Sequence, residues 1–267
     1  MLLRSVARAA TRGSRTPAWS RTRGCVVIGH RGTPRVHPED TLWPFGPAPA
    51  VGVDEVEIDV VFDGGVPRVS HDLPGPEDAA PLETVLDHLR GRARRVYVHY
   101  EAVNQRQPDH TDHITRLEVC VRDAGMLDVV VVMGERGDIA AWRAPAPDLH
   151  VLQRWTSPRP RDQRVARDEA ARHGLHHVGV YHSAKQYNPV GRALNRLGLP
   201  RLAAPVRLGP IRRLVRVHPD EVAVFTVNDP FLIRRYAAVD FQANRTDDPA
   251  LRCEVLGRGR GREVRPA

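Results

Sequence analysis

Eight short β-rich runs recur along the chain, and stretches with helical character separate most of them. Strands that alternate with helices form parallel sheets, because a parallel connection needs a crossover of about a dozen residues or more. Eight such units predict an α/β protein with the (β/α)₈ architecture of the TIM barrel, whose usual size of about 250 residues suits a chain of 267. A doubly wound open sheet shares this alternation and is the rival fold. The runs are 25–29, 54–62, 95–101, 128–133, 149–153, 176–182, 221–228 and 239–244.

Helices are expected between several of these strands, with one exception. The segment 42–52 follows the first strand, where a barrel places its first helix, but three prolines interrupt it. Each proline lacks an N–H and obstructs the preceding turn, so no more than about one turn of this degraded helix is expected. The other predicted helices are 82–89, 112–124 with Thr111 or Asp112 as its N-cap, one opening at Ser157–Pro158 and one opening at Asp229–Pro230.

The positive charge of the chain is concentrated at its two ends. The formal net charge is +8, yet residues 1–24 hold six arginines and no acid, and residues 252–267 hold five arginines against two glutamates. A protein that binds nucleic acid carries its basic residues on a folded face, so no nucleic-acid partner is predicted. The expected organisation is a disordered Arg-rich extension over 1–24, one barrel over 25–256 and a flexible Gly/Arg tail over 257–267.

Three further features of the sequence bear on the cellular compartment of the protein. No stretch approaches 18 consecutive apolar residues, so no transmembrane segment is predicted. Cys25, Cys120 and Cys253 are widely scattered and form no CxxC pair, which favours a reducing compartment and makes the cytoplasm the default location. The first 24 residues lack the apolar run of a secretory signal. Their composition also fits an organellar transit peptide, and both readings stay open.

Polar residues gather at the carboxyl ends of the first two strands, which is where barrel enzymes place their active sites. The first strand ends in Gly29-His30-Arg31-Gly32, and the second strand carries Glu57 and Asp59. Residues two apart in a strand point to one face, here the barrel interior. Two carboxylates there repel each other unless a cation or a proton lies between them. A hard divalent cation bound through oxygens is the simplest resolution.

A hairpin follows the second strand and brings a second histidine to the same rim. The turn Asp63-Gly64-Gly65 and the returning run 66–70 have the composition of a β-hairpin, and His71 comes directly after it. Two histidines beside a cation can act as general base and general acid. The Arg31 guanidinium has the fork geometry that suits phosphate oxygens. The set therefore predicts metal-assisted phosphodiester chemistry.

The motifs GHRG (29–32), PEDT (38–41) and GVDEVEIDVVFDGGVPRVSHD (52–72) resemble those of the glycerophosphodiester phosphodiesterase family. The resemblance is dense over 26–72, thins through the middle of the chain, and returns at 226–228 and 244–247. It implies a (β/α)₈ barrel of the phospholipase-C-like phosphodiesterase type. It also implies hydrolysis of glycerophosphodiesters to an alcohol and glycerol 3-phosphate, with a divalent metal, Mg²⁺ or Ca²⁺, as cofactor.

The resemblance further implies a role for each matching residue. His30 and His71 would be the acid/base pair, and Arg31 would contact the substrate phosphate. Glu57 and Asp59 would be metal ligands. Glu39, in the PEDT segment, would be a carboxylate of the metal site or a residue behind it.

The third strand departs from the family pattern, which ends in Glu-x-Lys. Here His99 stands at the carboxylate position and Glu101 at the lysine position. Either residue can serve as the third ligand, and Glu101 is favoured because oxygen suits Mg²⁺ and Ca²⁺ better than imidazole does. Lys185, the only lysine of the chain, follows the sixth strand and is predicted to restore a phosphate-binding charge.

Two other functions are compatible with these motifs. One is a phospholipase D-like enzyme that acts on lysophospholipid or sphingomyelin with the same histidine pair. The other is a catalytically silent barrel that binds a phosphorylated ligand, motivated by the altered third strand. All three readings expect a small-molecule partner, and none fixes the alcohol group, the metal or the oligomeric state.

Overall fold

A computed structural model describes the strands, two of the helices and parts of several others. The described residues are 26–31, 53, 55–72, 79–101, 110–134, 145–155, 176–182, 222–225 and 243–246, with helix and turn residues at 164–165, 168, 171–172, 193–194, 197–199, 230, 233–234, 251 and 253–254. Both predicted tails, the proline-rich segment 42–52 and the helix predicted at Ser157–Pro158 lie outside these residues. Within the described residues, no helix has the length and apolar character needed to cross a bilayer.

Nine strands make up one sheet, and eight of them correspond to the predicted runs. The ninth, β3, is the returning arm of the predicted hairpin. The last strand overlaps the predicted run 239–244 at 243–244, and the rest of that run lies outside the described residues. The strands are β1 (Val26–His30), β2 (Glu55–Asp63), β3 (Val66–Val69), β4 (Val96–Tyr100), β5 (Val130–Gly134), β6 (His150–Trp155), β7 (His176–His182), β8 (Val222–Phe225) and β9 (Ala243–Thr246).

The eight parallel strands close on themselves. Their order is β1-β9-β8-β7-β6-β5-β4-β2, and β1 also pairs with β2. Three residue pairs form that closing ladder, with Ile28 opposite Glu55 and His30 opposite Glu57. An open sheet would leave two parallel strands with a single neighbour each, whereas every parallel strand here has two. The predicted (β/α)₈ barrel is therefore confirmed, and the doubly wound sheet is excluded.

The two faces of β2 differ in chemistry, as a strand of period two requires. Val56, Ile58 and Val60 belong to the hydrophobic core between the barrel and its helices. Glu57 and Asp59 alternate with them and are also buried, so they point into the barrel. The predicted inward orientation of the acidic pair agrees with this alternation.

Two helices between the strands are described in full. The first, α1 (Leu82–Leu89), has the predicted bounds and buries Leu82, Val85, Leu86 and Leu89, the spacing of one helical face. The second, α2 (His110–Asp123), begins before Asp112 and carries it in its first turn. The predicted N-cap is therefore wrong, because Thr111 and Asp112 both lie inside the helix. In the first turn the Asp112 carboxylate interacts favourably with the positive end of the helix dipole. Farther along the chain, Pro230 is helical, in line with the helix predicted at Asp229–Pro230.

The hairpin of β2 and β3 is held at its tip by α2. Strand β3 pairs with the last four residues of β2, from Val60 to Asp63, and the turn between them is Gly64–Gly65. The Arg116 guanidinium donates a hydrogen bond of 2.6 Å from Nη1 to the Gly65 carbonyl oxygen. Both glycines have positive φ angles, 55° and 79°, where a side chain costs about 1–2 kcal/mol.

We expect Gly65→Ala to destabilise the fold by about 2 kcal/mol, more than the backbone strain alone, because a Cβ there also disturbs Arg116. The added Cβ would lie 2.7 Å from Arg116 Nη1. Gly64→Ala is the matched control, since its Cβ meets no described atom within 4 Å. Urea denaturation followed by circular dichroism measures both variants. Equal decreases in the free energy of unfolding of the two variants would show that the contact with Arg116 contributes nothing to stability.

The thiol of Cys120 on α2 is expected to resist alkylation. Burial, together with the charge of Glu83, raises the pKa of Cys120 to about 12, so only about one thiol in 10⁴ is ionised at pH 8. Labelling with iodoacetamide, mapped by mass spectrometry, should modify Cys120 about 10³-fold more slowly in the native protein than in urea. Equal rates in the two conditions would contradict the assigned environment.

Candidate active site

Three neighbouring strands carry the predicted site residues at the carboxyl-terminal half of the barrel. His30 is the last residue of β1 and lies opposite Glu57 in the ladder with β2. Asp59, two residues further along β2, lies opposite His99 of β4. Because partners in a parallel ladder share a face, this register brings two carboxylates and two imidazoles into the interior of one barrel mouth.

The side chains meet at short distances around Asp59. Arg31 Nε lies 2.7 Å from Asp59 Oδ2, and His99 Nδ1 forms a hydrogen bond of 3.0 Å with Asp59 Oδ1. The contact with Arg31 is close but its N–H is not aligned on the oxygen, so it is an ion pair and not a hydrogen bond. Beside it, His30 Nε2 lies 3.8 Å from Glu57 Oε2.

This environment keeps Asp59 ionised. Burial by itself raises the pKa of the carboxyl group, but the hydrogen bond and charge of His99 act against it, together with the charges of Arg31 and His30. The cationic groups prevail and hold the pKa of Asp59 far below its usual range. Asp59 therefore presents a full negative charge to the interior of the barrel.

Arg31 adopts a backbone conformation that is unusual for its residue type. Its φ angle is 51°, in the left-handed region, where a residue with a Cβ is strained by about 1–2 kcal/mol. The chain turns sharply at this point, directly after the last residue of β1, and the guanidinium contacts Asp59. Strain of this kind is characteristic of functional sites.

The hairpin brings His71 to the same rim. The Ser70 N–H donates a hydrogen bond of 3.1 Å to the Asp59 carbonyl oxygen, so His71 follows one residue after a backbone contact with the acidic strand. Its side chain is 46% exposed, in contrast to His30 at 14%. His71 Nδ1 lies 2.9 Å from Asp72 Oδ1. The two predicted histidines thus differ in exposure, His30 being the more buried.

The interior groups fit a divalent cation. Glu57, Asp59 and His99 each offer a ligand atom within 4.8 Å of the others. Among the described residues, no hydrogen bond reaches the buried atoms Asp59 Oδ2 and Glu101 Oε1. In the part of the chain that the structure describes, three carboxylates of this cluster (Glu57, Asp59 and Glu101) lie beside one guanidinium, that of Arg31, and with both imidazoles neutral a divalent cation would balance the charge.

Strand β4, the third of the predicted barrel strands, places His99 near this cluster, and Glu101 follows directly after the strand. His99 Nδ1 lies 2.6 Å from Glu101 Oε1, while the three-residue group that could hold a metal contains His99 and not Glu101. The expectation that Glu101 is the third ligand stays a prediction. Its contact with His99 Nδ1 gives Glu101 a second possible role, which is to hold the imidazole ring.

Solved structures with the same architecture include glycerophosphodiester phosphodiesterases. The one from Agrobacterium tumefaciens has a TM-score of 0.56 and 19% identity over 86% of this chain and 99% of its own. The one from Thermotoga maritima has a TM-score of 0.57 and 16% identity over 88% and 99% of the two chains. An Oleispira antarctica phosphodiesterase, solved in complex with the product sn-glycerol-3-phosphate, has a TM-score of 0.62 and 16% identity over 88% and 97%. No protein-family model and no curated protein sequence matches the chain.

The chain has the fold of the glycerophosphodiester phosphodiesterases. The resemblance seen in the motifs is thereby confirmed at the level of the fold. Of the predicted site residues, Glu39 and Lys185 lie outside the described residues, so their roles stay predictions. The late motif 244–247 begins in β9, which pairs with β1 in the ladder that leads to His30.

One buried polar pair of this phosphodiesterase fold escaped the sequence analysis. The Tyr97 hydroxyl donates a hydrogen bond of 2.7 Å to Glu55 Oε2, and both side chains are buried. Glu55 lies two residues before Glu57 on β2, and Tyr97 lies opposite Glu57 on β4. The alternation of Glu55, Glu57 and Asp59 was visible in the sequence, but the partner of Glu55 lies on another strand and leaves no local signal.

Proposed function

We propose that the chain is a metal-dependent glycerophosphodiester phosphodiesterase that releases an alcohol and glycerol 3-phosphate. The observation that carries the proposal is the cluster of His30, Arg31, Glu57, Asp59 and His99 in the mouth of a barrel with the fold of that family. The Oleispira antarctica phosphodiesterase of the same fold holds sn-glycerol-3-phosphate, which supports the choice of substrate class.

The charges of the cluster suit a phosphodiester anion. A divalent cation held by Glu57 and Asp59 would supply positive charge against the phosphoryl oxygens. Oxygen ligands alone would favour Mg²⁺ or Ca²⁺. Arg31, already at the mouth, is positioned to exchange part of its contact with Asp59 for a substrate oxygen, since its guanidinium offers five N–H donors.

The two histidines divide the proton transfers. Water, or a neighbouring glycerol hydroxyl, attacks phosphorus; its proton passes to a base, the bond to the leaving alcohol breaks, and an acid returns a proton to that oxygen. His30 is the base in this proposal, because its ring lies in the interior beside Glu57. His71 is the acid, because it lies on the exposed side through which a bulky alcohol leaves, with Nδ1 held by Asp72. If the glycerol hydroxyl attacks first, a second step with water opens the cyclic phosphate with the roles exchanged: His71, now without its proton, takes a proton from the water, and His30 returns its proton to the glycerol oxygen.

The substrate class is tested by release of glycerol 3-phosphate from glycerophosphocholine and glycerophosphoethanolamine, with added divalent cation or with EDTA. Release with cation and none with EDTA is the expected result. Preference for lysophosphatidylcholine would favour the phospholipase D-like alternative, and retained ligand binding without turnover would favour the silent barrel. Turnover that survives both chelation and His30→Ala would reject the mechanism.

The remaining expectations concern the cellular setting. The substrate is a small molecule, and the scattered cysteines favour the cytoplasm as the place of action. Fractionation of cells that produce the full chain, with an antibody against it, tests the location. Recovery in an organelle would instead support targeting by residues 1–24.

A further inference from the structure

We infer that His99 supplies a nitrogen ligand to the cation of this site and thereby selects a first-row transition metal over Mg²⁺ and Ca²⁺. The inference rests on the proposed function in one respect only, namely that a cation binds at Glu57 and Asp59. It revises the expectation that Glu101 is the third ligand.

The register of the barrel places His99 where a ligand must be. His99 lies directly opposite Asp59 in the ladder between β4 and β2, and its side chain is buried. Of the described residues, it completes the group with Glu57 and Asp59 whose ligand atoms all lie within 4.8 Å of one another. The third donor of this group is therefore an imidazole and not a carboxylate.

Glu101 holds this imidazole in the way that metal-binding histidines are commonly held. His99 Nδ1 lies 2.6 Å from Glu101 Oε1 and 3.0 Å from Asp59 Oδ1. Two carboxylates beside Nδ1 favour the tautomer that carries its proton on this nitrogen, which puts the lone pair on Nε2 and fixes the ring orientation. Glu101 therefore serves as a positioning residue for His99.

The donor set determines which cations bind well. Ca²⁺ takes six to eight oxygen ligands and Mg²⁺ a near-ideal octahedron of oxygens, and this cluster replaces one of its few protein oxygens with nitrogen. The affinity of a site that contains nitrogen rises along the first-row divalent ions from Mn²⁺ to Cu²⁺ and falls again at Zn²⁺. We therefore expect Mn²⁺ to bind at least about tenfold more tightly than Mg²⁺ or Ca²⁺.

Pulsed electron paramagnetic resonance of Mn²⁺ bound to the full-length protein tests the ligand directly, without any assay of activity. A coupling to ¹⁴N of a directly bound imidazole is expected in the wild type. It should disappear in His99→Gln and persist in His30→Gln, since His30 also lies near Glu57. His88→Gln, on the outer helix α1, is the matched control and should leave the spectrum unchanged. Mn²⁺ bound without a ¹⁴N coupling, or a coupling that survives His99→Gln, overturns the inference.

Competition between cations gives a second measurement, which tests the inference on the wild type alone if one of the variants folds poorly. Calorimetric titration of the wild type with Mn²⁺, in the presence of excess Mg²⁺ or Ca²⁺, should show the preference of about tenfold or more. In His99→Gln the Mn²⁺ affinity should fall about 10-fold or more, and Glu101→Gln should lower it by about 10-fold through loss of the ring contact. Equal affinity of the wild type for Mn²⁺ and Mg²⁺ overturns the inference, while absent glycerophosphodiester hydrolysis with an intact ¹⁴N coupling overturns the proposed function alone.

Discussion

Replacing His30 with alanine is expected to slow release of glycerol 3-phosphate about 10²–10⁴-fold, the usual contribution of a positioned general acid or base. His30 is the last residue of β1, and its Nε2 lies 3.8 Å from Glu57 Oε2. The substitution removes the proposed proton acceptor but leaves the carboxylates, Arg31 and His99 in place. The loss should therefore appear in kcat, with KM changed much less.

His88→Ala is the control for this experiment, because it makes the same change on the outer helix α1 and should keep the wild-type rate. Circular dichroism of both variants establishes that they fold. A His30→Ala enzyme that retains more than about a tenth of the wild-type kcat would remove His30 from the catalytic pair. Replacing His71 in the same way then asks whether the exposed histidine carries one of the two proton transfers.

Replacing Asp59 with asparagine is expected to lower the free energy of unfolding by about 3–5 kcal/mol in EDTA, the usual cost of removing one partner from a buried ion pair. Asp59 is buried, and its two oxygens contact Arg31 and His99. Asparagine keeps the size of the side chain but leaves the guanidinium without its closest counter-charge. Asp63→Asn is the matched control, because Asp63 ends the same strand in an exposed position.

The stability difference between wild type and Asp59→Asn should depend on pH in one direction. The pKa of Asp59 is lowered in the folded state, so the ionised carboxylate stabilises the fold at any pH above its unfolded pKa of about 4. That contribution shrinks as the pH falls below about 4, because the unfolded chain then takes up a proton that the folded carboxylate does not, and it vanishes only below the lowered pKa of the folded state. Urea denaturation from about pH 5 down to about pH 2 should show the two proteins drawing together in acid. A difference that stays constant down to pH of about 2 would contradict the assigned ion pairs.

Much of the fold was predictable because each barrel strand carries its own signal. The run 54–62 alternates between valine or isoleucine and carboxylates, and that period of two identified both the strand and the inward face of Glu57 and Asp59. The glycine pair after Asp63 identified the hairpin that brings His71 to the rim. These features are local in sequence, so no knowledge of the other strands was required.

What could not be predicted depends on partners far apart in the chain. The pairing of Arg31 with Asp59 requires the left-handed backbone at Arg31, which a sequence of Arg between His and Gly does not indicate. The pairing of β9 with β1, with Ala243 opposite Val26, joins opposite ends of the chain and leaves no local signal. The choice between His99 and Glu101 likewise needed the distances across β2 and β4.

The closing ladder of the barrel ties the active site to a seam that heat can open. Among the described residues, three pairs join β1 to β2, against two between β8 and β9 and five between β2 and β4, and the outermost of the three is His30 with Glu57. Fraying of this seam separates the proton acceptor from the acidic strand while the longer ladder between β2 and β4 stays intact. Turnover should therefore decline at temperatures where far-ultraviolet circular dichroism still reports a complete barrel, and a crosslink across the seam would bring the two thermal curves together.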